Sequence, residues 1–147
     1  MTTPIVRTLD SLTDDDAEAI SRLLPQLSRS ALFDRDRLDA MIENDATDLI
    51  VATVDGTIVG MATLVTVPLP TGLRGHVEDV VVDDAFRGHG IARLLLLTMT
   101  KTARDRGMRN LDLTSRPSRE AALRLYESVG FVRRETNVLR YTVPDAS

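Results

Sequence analysis

The chain has 147 residues, 43% hydrophobic and 27% charged, which suits one packed domain and excludes a disordered or membrane-embedded chain. With no cysteine there is no disulfide, thiolate metal site or cysteine nucleophile, and two histidines, His76 and His89, argue against a multi-histidine metal centre. A net charge of -4 disfavours general nucleic-acid binding, and no long apolar run or apolar leader is present, so the expectation is a cytoplasmic domain, 1–147, without nucleic-acid or membrane partners and without metal.

Residues 5–9 alternate enough for a first strand. Thr13 or Asp14 then offers an N-cap, and Asp15 and Asp16 suit the positive end of a helix dipole. Ala17, Ile20, Leu23, Leu24 and Leu27 recur at helical spacing, which predicts a helix over 13–26 that ends around Pro25. Leu38, Met41 and Ile42 mark a second helix over 34–44. Next come β-branched stretches at 49–54 and 57–67 around Asp55-Gly56, a two-residue hairpin signal. A polar, glycine-containing stretch at 68–75 reads as the lead-in to another strand, 76–82. A long helix follows over 91–106, stopped by Gly107, and then a strand over 111–115. Ser118 is placed to cap a helix running to about 129, and 131–135 with 138–143 suggest a closing strand pair. This is mixed α/β order, antiparallel in the first half and with crossover helices in the second.

The chemistry concentrates between the strand 76–82 and the helix beginning at Ile91, in Asp83-Asp84-Ala85-Phe86-Arg87-Gly88-His89-Gly90. A strand, a glycine loop and a helix N-terminus turn several backbone N–H groups toward one point, which attracts phosphate. The glycines let the main chain approach an anion closely, and Ala92 keeps the first turn small. Taken alone, Arg-Gly-His-Gly is better explained by a plain turn. No Gly-Lys-Ser/Thr follows, and Arg93 stands where the dinucleotide G-x-G-x-x-G pattern needs its last glycine, so a nucleoside triphosphate or a nicotinamide is disfavoured.

Arg87-Gly88-His89-Gly90-Ile91-Ala92 resembles the R/Q-x-x-G-x-G/A loop of GNAT-type N-acetyltransferases. Glu78-Asp79-Val80-Val81-Val82 resembles that family's fourth strand, and Ala121 to Phe131 resembles its A-x-x-L-Y-x-x-x-G-F segment. The likeness is specific over 76–131 and loose over the first 70 residues. It implies a GNAT-type acyl-CoA N-acyltransferase fold, with a mixed central sheet splayed between its fourth and fifth strands and flanking helices. Acetyl-CoA is the implied cosubstrate and an amine its implied partner. The main chain of Val80, Val81 and Val82 would pair with the pantetheine arm, and the amides of Arg87, Gly88, His89, Gly90, Ile91 and Ala92 would hold the pyrophosphate. Many members carry Asn seven residues before the tyrosine; here Arg119 stands there, either an exposed helix-start residue or a contact to a phosphate.

Acetyl transfer needs a neutral amine and a proton for the departing thiolate. Without cysteine, and without a Ser-His-Asp pattern or G-x-S-x-G elbow, direct attack in a ternary complex is the simplest route. Tyr126, a phenol protonated at neutral pH, is the general-acid candidate, its plainer role being a core position beside Ala122, Leu125 and Val129. Glu78 is the base candidate, with Asp79 and solvent as competitors; strict alternation puts it on the face of Val80 and Val82 unless a bulge intervenes. His76 reads as a polar edge residue, and Asp34, Asp36 and Asp39 as a charged helix surface on the side where family members bind the acceptor. The expected function is acetyl transfer to a primary amine, of a small molecule ahead of a protein or peptide. The rivals are a non-catalytic acyl-CoA module and a nucleotide-binding protein. A homodimer is in keeping with the family.

Overall fold

Thr13 begins the first helix as its composition demands. Its hydroxyl accepts the Asp16 N–H at 3.0 Å, and the Asp16 carboxylate accepts the Thr13 N–H at 3.2 Å, a reciprocal capping box. The computed structural model describes residues 2–145. In chain order it contains β1 (Ile5–Thr8), α1 (Asp14–Leu27), α2 (Arg35–Glu43), β2 (Thr47–Val54), β3 (Thr57–Leu69), β4 (Gly72–Val82), α3 (Ile91–Asp105), β5 (Asn110–Asp112) and α4 (Glu120–Ser128). A short 3-10 turn, Asp84–Phe86, lies between β4 and α3.

The five strands form one sheet in the order β1-β2-β3-β4-β5, antiparallel except for the parallel β4–β5 pair. Asp55 and Gly56 both have positive φ, 51° and 81°, as a twist-matched two-residue hairpin requires. One face of the sheet packs Val51, Met61 and Val81 against Leu23 and Ile20 of α1, with Leu38 and Met41 of α2 at the margin. The other face packs Ala62, Leu64, Val77 and Val82 against Leu95, Leu96 and Met99 of α3 and Tyr126 of α4. A three-layer α/β sandwich results, with strand β4 buried on both faces.

Four local expectations are corrected. Helix α1 runs through Pro25 to Leu27, because a proline in the last turn removes only one intrahelical donor. Residues 68–75 are no loop: Pro68 pairs with Leu73 and Leu69 with Gly72, so β3 and β4 are one long hairpin closed by Pro70 and Thr71. Ser118 does not cap α4; Arg119 stands at the N-cap and supplies no side-chain bond. Finally, the strand pair at 131–135 and 138–143 is absent among the described residues. Val132, Val138, Leu139 and Tyr141 are 74–88% exposed. Strand β5 is only three residues long and offers little edge to pair with, and Val138 and Leu139 break the alternation a half-buried strand needs.

Two irregularities in β4 matter for function. The parallel pairing with β5 covers only Arg74–Asn110, Gly75–Leu111 and His76–Asp112; beyond it β4 runs on to Val82 with no strand on that side, which is the expected splay. Secondly, Met61 faces Val81 while Thr63 faces Glu78, so two residues of β4, Asp79 and Val80, stand opposite Ala62 alone. This bulge holds Asp79 at a φ of 53°. Its parity consequence is visible in the core: Val77 and Val82, an odd number of residues apart, share the α3 face, while Val81 faces α1. Glu78 therefore lies opposite to Val80 and Val82, correcting the face that strict alternation assigns it.

Candidate active site

The gap left by the splay is a cavity of about 1060 Å³, bounded by Val80, Val81 and Val82 of β4, the loop from Phe86, the first turn of α3, Thr114 to Arg116 after β5, and Tyr126 of α4. That volume is at the upper end for small-molecule sites and suits a long ligand. Beside it lies a smaller cavity of about 200 Å³ lined by Leu27, Val77, Glu78, Asp79, Val80, Leu113, Thr114, Arg119 and Tyr126. Five residues line both: Leu27, Val80, Thr114, Arg119 and Tyr126. Tyr126 thus stands at the junction, and Glu78 belongs to the smaller cavity only.

The loop is built to present main-chain donors. Asp83 accepts the Ala85 N–H at 3.0 Å, and its carbonyl accepts the Phe86 N–H at 2.8 Å, which tightens the turn after β4. Gly88 and Gly90 then adopt φ of 80° and 75°, left-handed values that β-carbons resist. Gly90 occupies the N-cap of α3 without a side-chain bond. The N–H groups from Gly88 to Arg93 find no acceptor among the described residues, so a fan of donors sits at the positive end of a 15-residue helix. His89 does not line the cavity. Its Nδ1 lies 3.1 Å from the Phe86 carbonyl and 3.0 Å from that of Arg87. Two carbonyl partners require the proton on Nδ1, so the imidazole folds the loop back on itself.

The electrostatics are one-sided. Arg87, Arg93, Arg116, Arg119 and Arg140 line the large cavity, and among the described residues no carboxylate does. Arg87 is held by Asp84 at 2.8 Å, and Arg93 donates to the Ser128 hydroxyl at 2.9 Å. Arg116, Arg119 and Arg140 have no carboxylate partner among the described residues. Glycine spacing points to the loop, but a guanidinium cluster assembled from the β5–α4 connection and the C-terminal stretch has no local pattern to announce it. Gln26 and Leu27, at the end of α1, are further wall residues; helical spacing marks Leu27 only as an apolar position, and no local pattern marks Gln26.

Other candidates fall outside. Asp34 caps α2 by accepting the Arg37 N–H at 3.0 Å, Asp39 lies 3.5 Å from Arg35, and neither they nor Asp36 line either of these two cavities. His76 is exposed opposite Asp112, and Glu127 pairs with Arg133 at 3.1 Å. No group of His, Asp and Glu suited to a metal ion occurs among the described residues.

Residues 11–131 match the family model described as Acetyltransferase (GNAT) family. A glucosamine 6-phosphate N-acetyltransferase of Trypanosoma brucei brucei is 40% identical over 79 residues, 52% of this chain and 52% of that protein. This chain therefore spans about half the length of that curated relative. The N-alpha-acetyltransferase RimI of Mycobacterium tuberculosis is 32% identical over 132 residues, 86% of this chain and 78% of that one. Among solved structures, a Trypanosoma brucei acetyltransferase superposes with a TM-score of 0.80 at 26% identity, covering 96% of this chain and all of that one (100%).

Proposed function

The chain belongs to the GNAT acetyltransferase family, and from that premise we propose that it moves an acetyl group from acetyl-CoA to a primary amine of a small molecule, by direct attack within a ternary complex. The observation that carries this reading is the fan of unbonded amides of Gly88 and of Gly90 to Arg93, opening on the cavity walled by Val80–Val82 and Tyr126.

The residues present fit the coenzyme. Its diphosphate needs converging donors and positive charge, and the loop amides, the α3 dipole, Arg87 and Arg93 supply both. On the side away from β3, β4 has no neighbouring strand beyond His76, so the main chain of Val80 and Val82 is free there to pair with the amides of an extended pantetheine arm, with Val81 between them bonded toward β3, while Gly88, Gly90, Ile91 and Ala92 contribute main-chain groups to the diphosphate. Arg119, standing at the junction of the two cavities, faces the arm rather than open solvent alone. When bound, the coenzyme supplies an acyl carbon activated as a thioester.

In this reading the amine enters the smaller cavity, where the Glu78 and Asp79 carboxylates attract the ammonium. Glu78 takes its proton, directly or through one water. Main-chain N–H groups at the open edge of β4 polarise the carbonyl as charge develops on its oxygen. Tyr126, lining both cavities, gives its hydroxyl proton to the departing sulfur.

A thiol-release assay with acetyl-CoA against pooled small amines, followed by mass spectrometry for the acetylated product, tests the proposal. Release with a single acetylated amine supports it. Tight CoA binding with no release from any pool would make the domain a non-catalytic acyl-CoA module. A second reading, acetylation of a protein or peptide N-terminus, is favoured by the likeness to RimI over 86% of this chain. Short peptides with free N-termini therefore belong in the panel.

A further inference from the structure

The last turn of α1 is tied to the coenzyme loop through one side chain. Gln26 Oε1 accepts the Asp84 N–H at 2.8 Å, across 58 residues of sequence. The amide nitrogen of the same side chain donates to the Arg22 carbonyl at 3.3 Å, so its two partners fix its orientation. Asp84 opens the short turn that leads into the glycines, and its carboxylate holds Arg87. The Ala85 and Phe86 amides bond back to Asp83 within the loop. The turn is anchored outside itself by the Asp83 N–H on the Val59 carbonyl, a strand contact, and by the Asp84 N–H on Gln26, a helix contact. Pro25 has already deprived this last helical turn of one backbone donor, which makes it depend more on bonds from outside. Gln26 also lines the large cavity, and Leu27 beside it lines both.

We propose that Gln26 is a positioning residue that couples seating of the coenzyme to the wall of the acceptor cavity. The inference rests on the coenzyme reading given above. Gln26 is half-buried, so water competes for its bond to Asp84. A ligand filling the large cavity covers the Gln26 side of that bond, displaces water competing there and strengthens it. The strengthened bond draws the end of α1 onto the loop and presses Leu27 against the smaller cavity. The coupling is reciprocal: order gained by α1 is gained by the loop.

Amide hydrogen exchange on the full chain, with and without CoA, reads the coupling directly. In the wild type, CoA should slow exchange in the loop at 84–93 and in the end of α1 at 23–28. Gln26→Leu keeps the bulk but accepts no hydrogen bond. It should retain the loop response and lose the α1 response by about fivefold or more. Gln26→Ala should behave likewise, and a merely structural role would lower protection of α1 equally with and without CoA. Equal CoA-dependent slowing at 23–28 in the variants, or CoA binding to the wild type with no response there, overturns this inference alone. A wild-type protein to which CoA fails to bind in titration calorimetry overturns the coenzyme reading itself.

Discussion

Replacing Tyr126 by Phe removes one oxygen from a side chain that is 8% exposed and packed in the α3-side core. Its ring meets Phe131 edge-on, centroids 6.3 Å apart at 67°, a contact that phenylalanine preserves. The side chain lines both cavities and its hydroxyl has no hydrogen-bond partner among the described residues, so removing the oxygen leaves no protein group unpaired. Stability should change by no more than about 0.5 kcal/mol. Loss of a general acid lowers turnover by roughly 10²–10⁴-fold, which is about 3–5 kcal/mol of transition-state stabilisation. Thiol release measured at saturating acetyl-CoA over a range of amine concentrations should show kcat and kcat/KM falling together. Titration calorimetry should find CoA affinity unchanged. Retained turnover, within about threefold of wild type, with no pre-steady-state burst, would refute the acid assignment, since without a burst the chemical step limits the rate.

Glu78→Gln should cost little stability, because Glu78 is exposed, but should lower kcat at neutral pH by about 10²-fold. The deficit should shrink toward the amine's own pKa, where solvent supplies the neutral nucleophile, and a deficit constant across pH would argue against a base. Gly90→Ala meets nothing within 4 Å of the new methyl group, so its cost is backbone strain at a φ of 75°, about 1–2 kcal/mol, seen as a lower Tm together with weaker CoA binding. Arg106, at the end of α3, is hydrogen-bonded to Asp48 at the start of β2, and that bond raises the guanidinium's pKa. A raised basic group contributes its stability below its unfolded pKa and loses it only as pH climbs through the folded one. Arg106→Ala should therefore cost about 0.5–1 kcal/mol by calorimetry, equally at about pH 6 and about pH 9.

The stretch from β4 into α3 was readable because its signals are local. A valine-rich strand, two glycines at the turn and an apolar helix are each decided by neighbouring residues, and the structure bears out those elements. The hairpin at Pro70-Thr71 was hidden because Gly72 and Gly75 look like loop residues. Gly75 is small for a different reason: a methyl group there would come within 2.6 Å of the Met108 sulfur, where β4 meets the approach to β5. The end of the chain misled in the opposite direction. Val138, Tyr141 and Val143 have strand-forming side chains, but a strand needs an edge to pair with, and β5 spans only Asn110–Asp112. Long-range polar contacts such as Gln26 to Asp84 leave no periodic trace, because each partner obeys only its own element.

The bulge at Asp79 links these observations. A regular β4 would place Glu78, Val80 and Val82 on one face, with a carboxylate driven toward the α3-side core that Val77 and Tyr126 now fill. Inserting one residue reverses the parity. Val80 and Val82 keep their side chains on the α3 face and leave their main chain along the open edge, while Glu78 turns to the α1 face and the smaller cavity. The cost is a non-glycine residue at positive φ, of order 1–3 kcal/mol, moderated because aspartate tolerates this region better than a branched side chain. A single irregularity thereby separates an apolar strand that can bind through its backbone from a carboxylate that can handle a proton, and Tyr126, bordering both cavities, stands where the two meet.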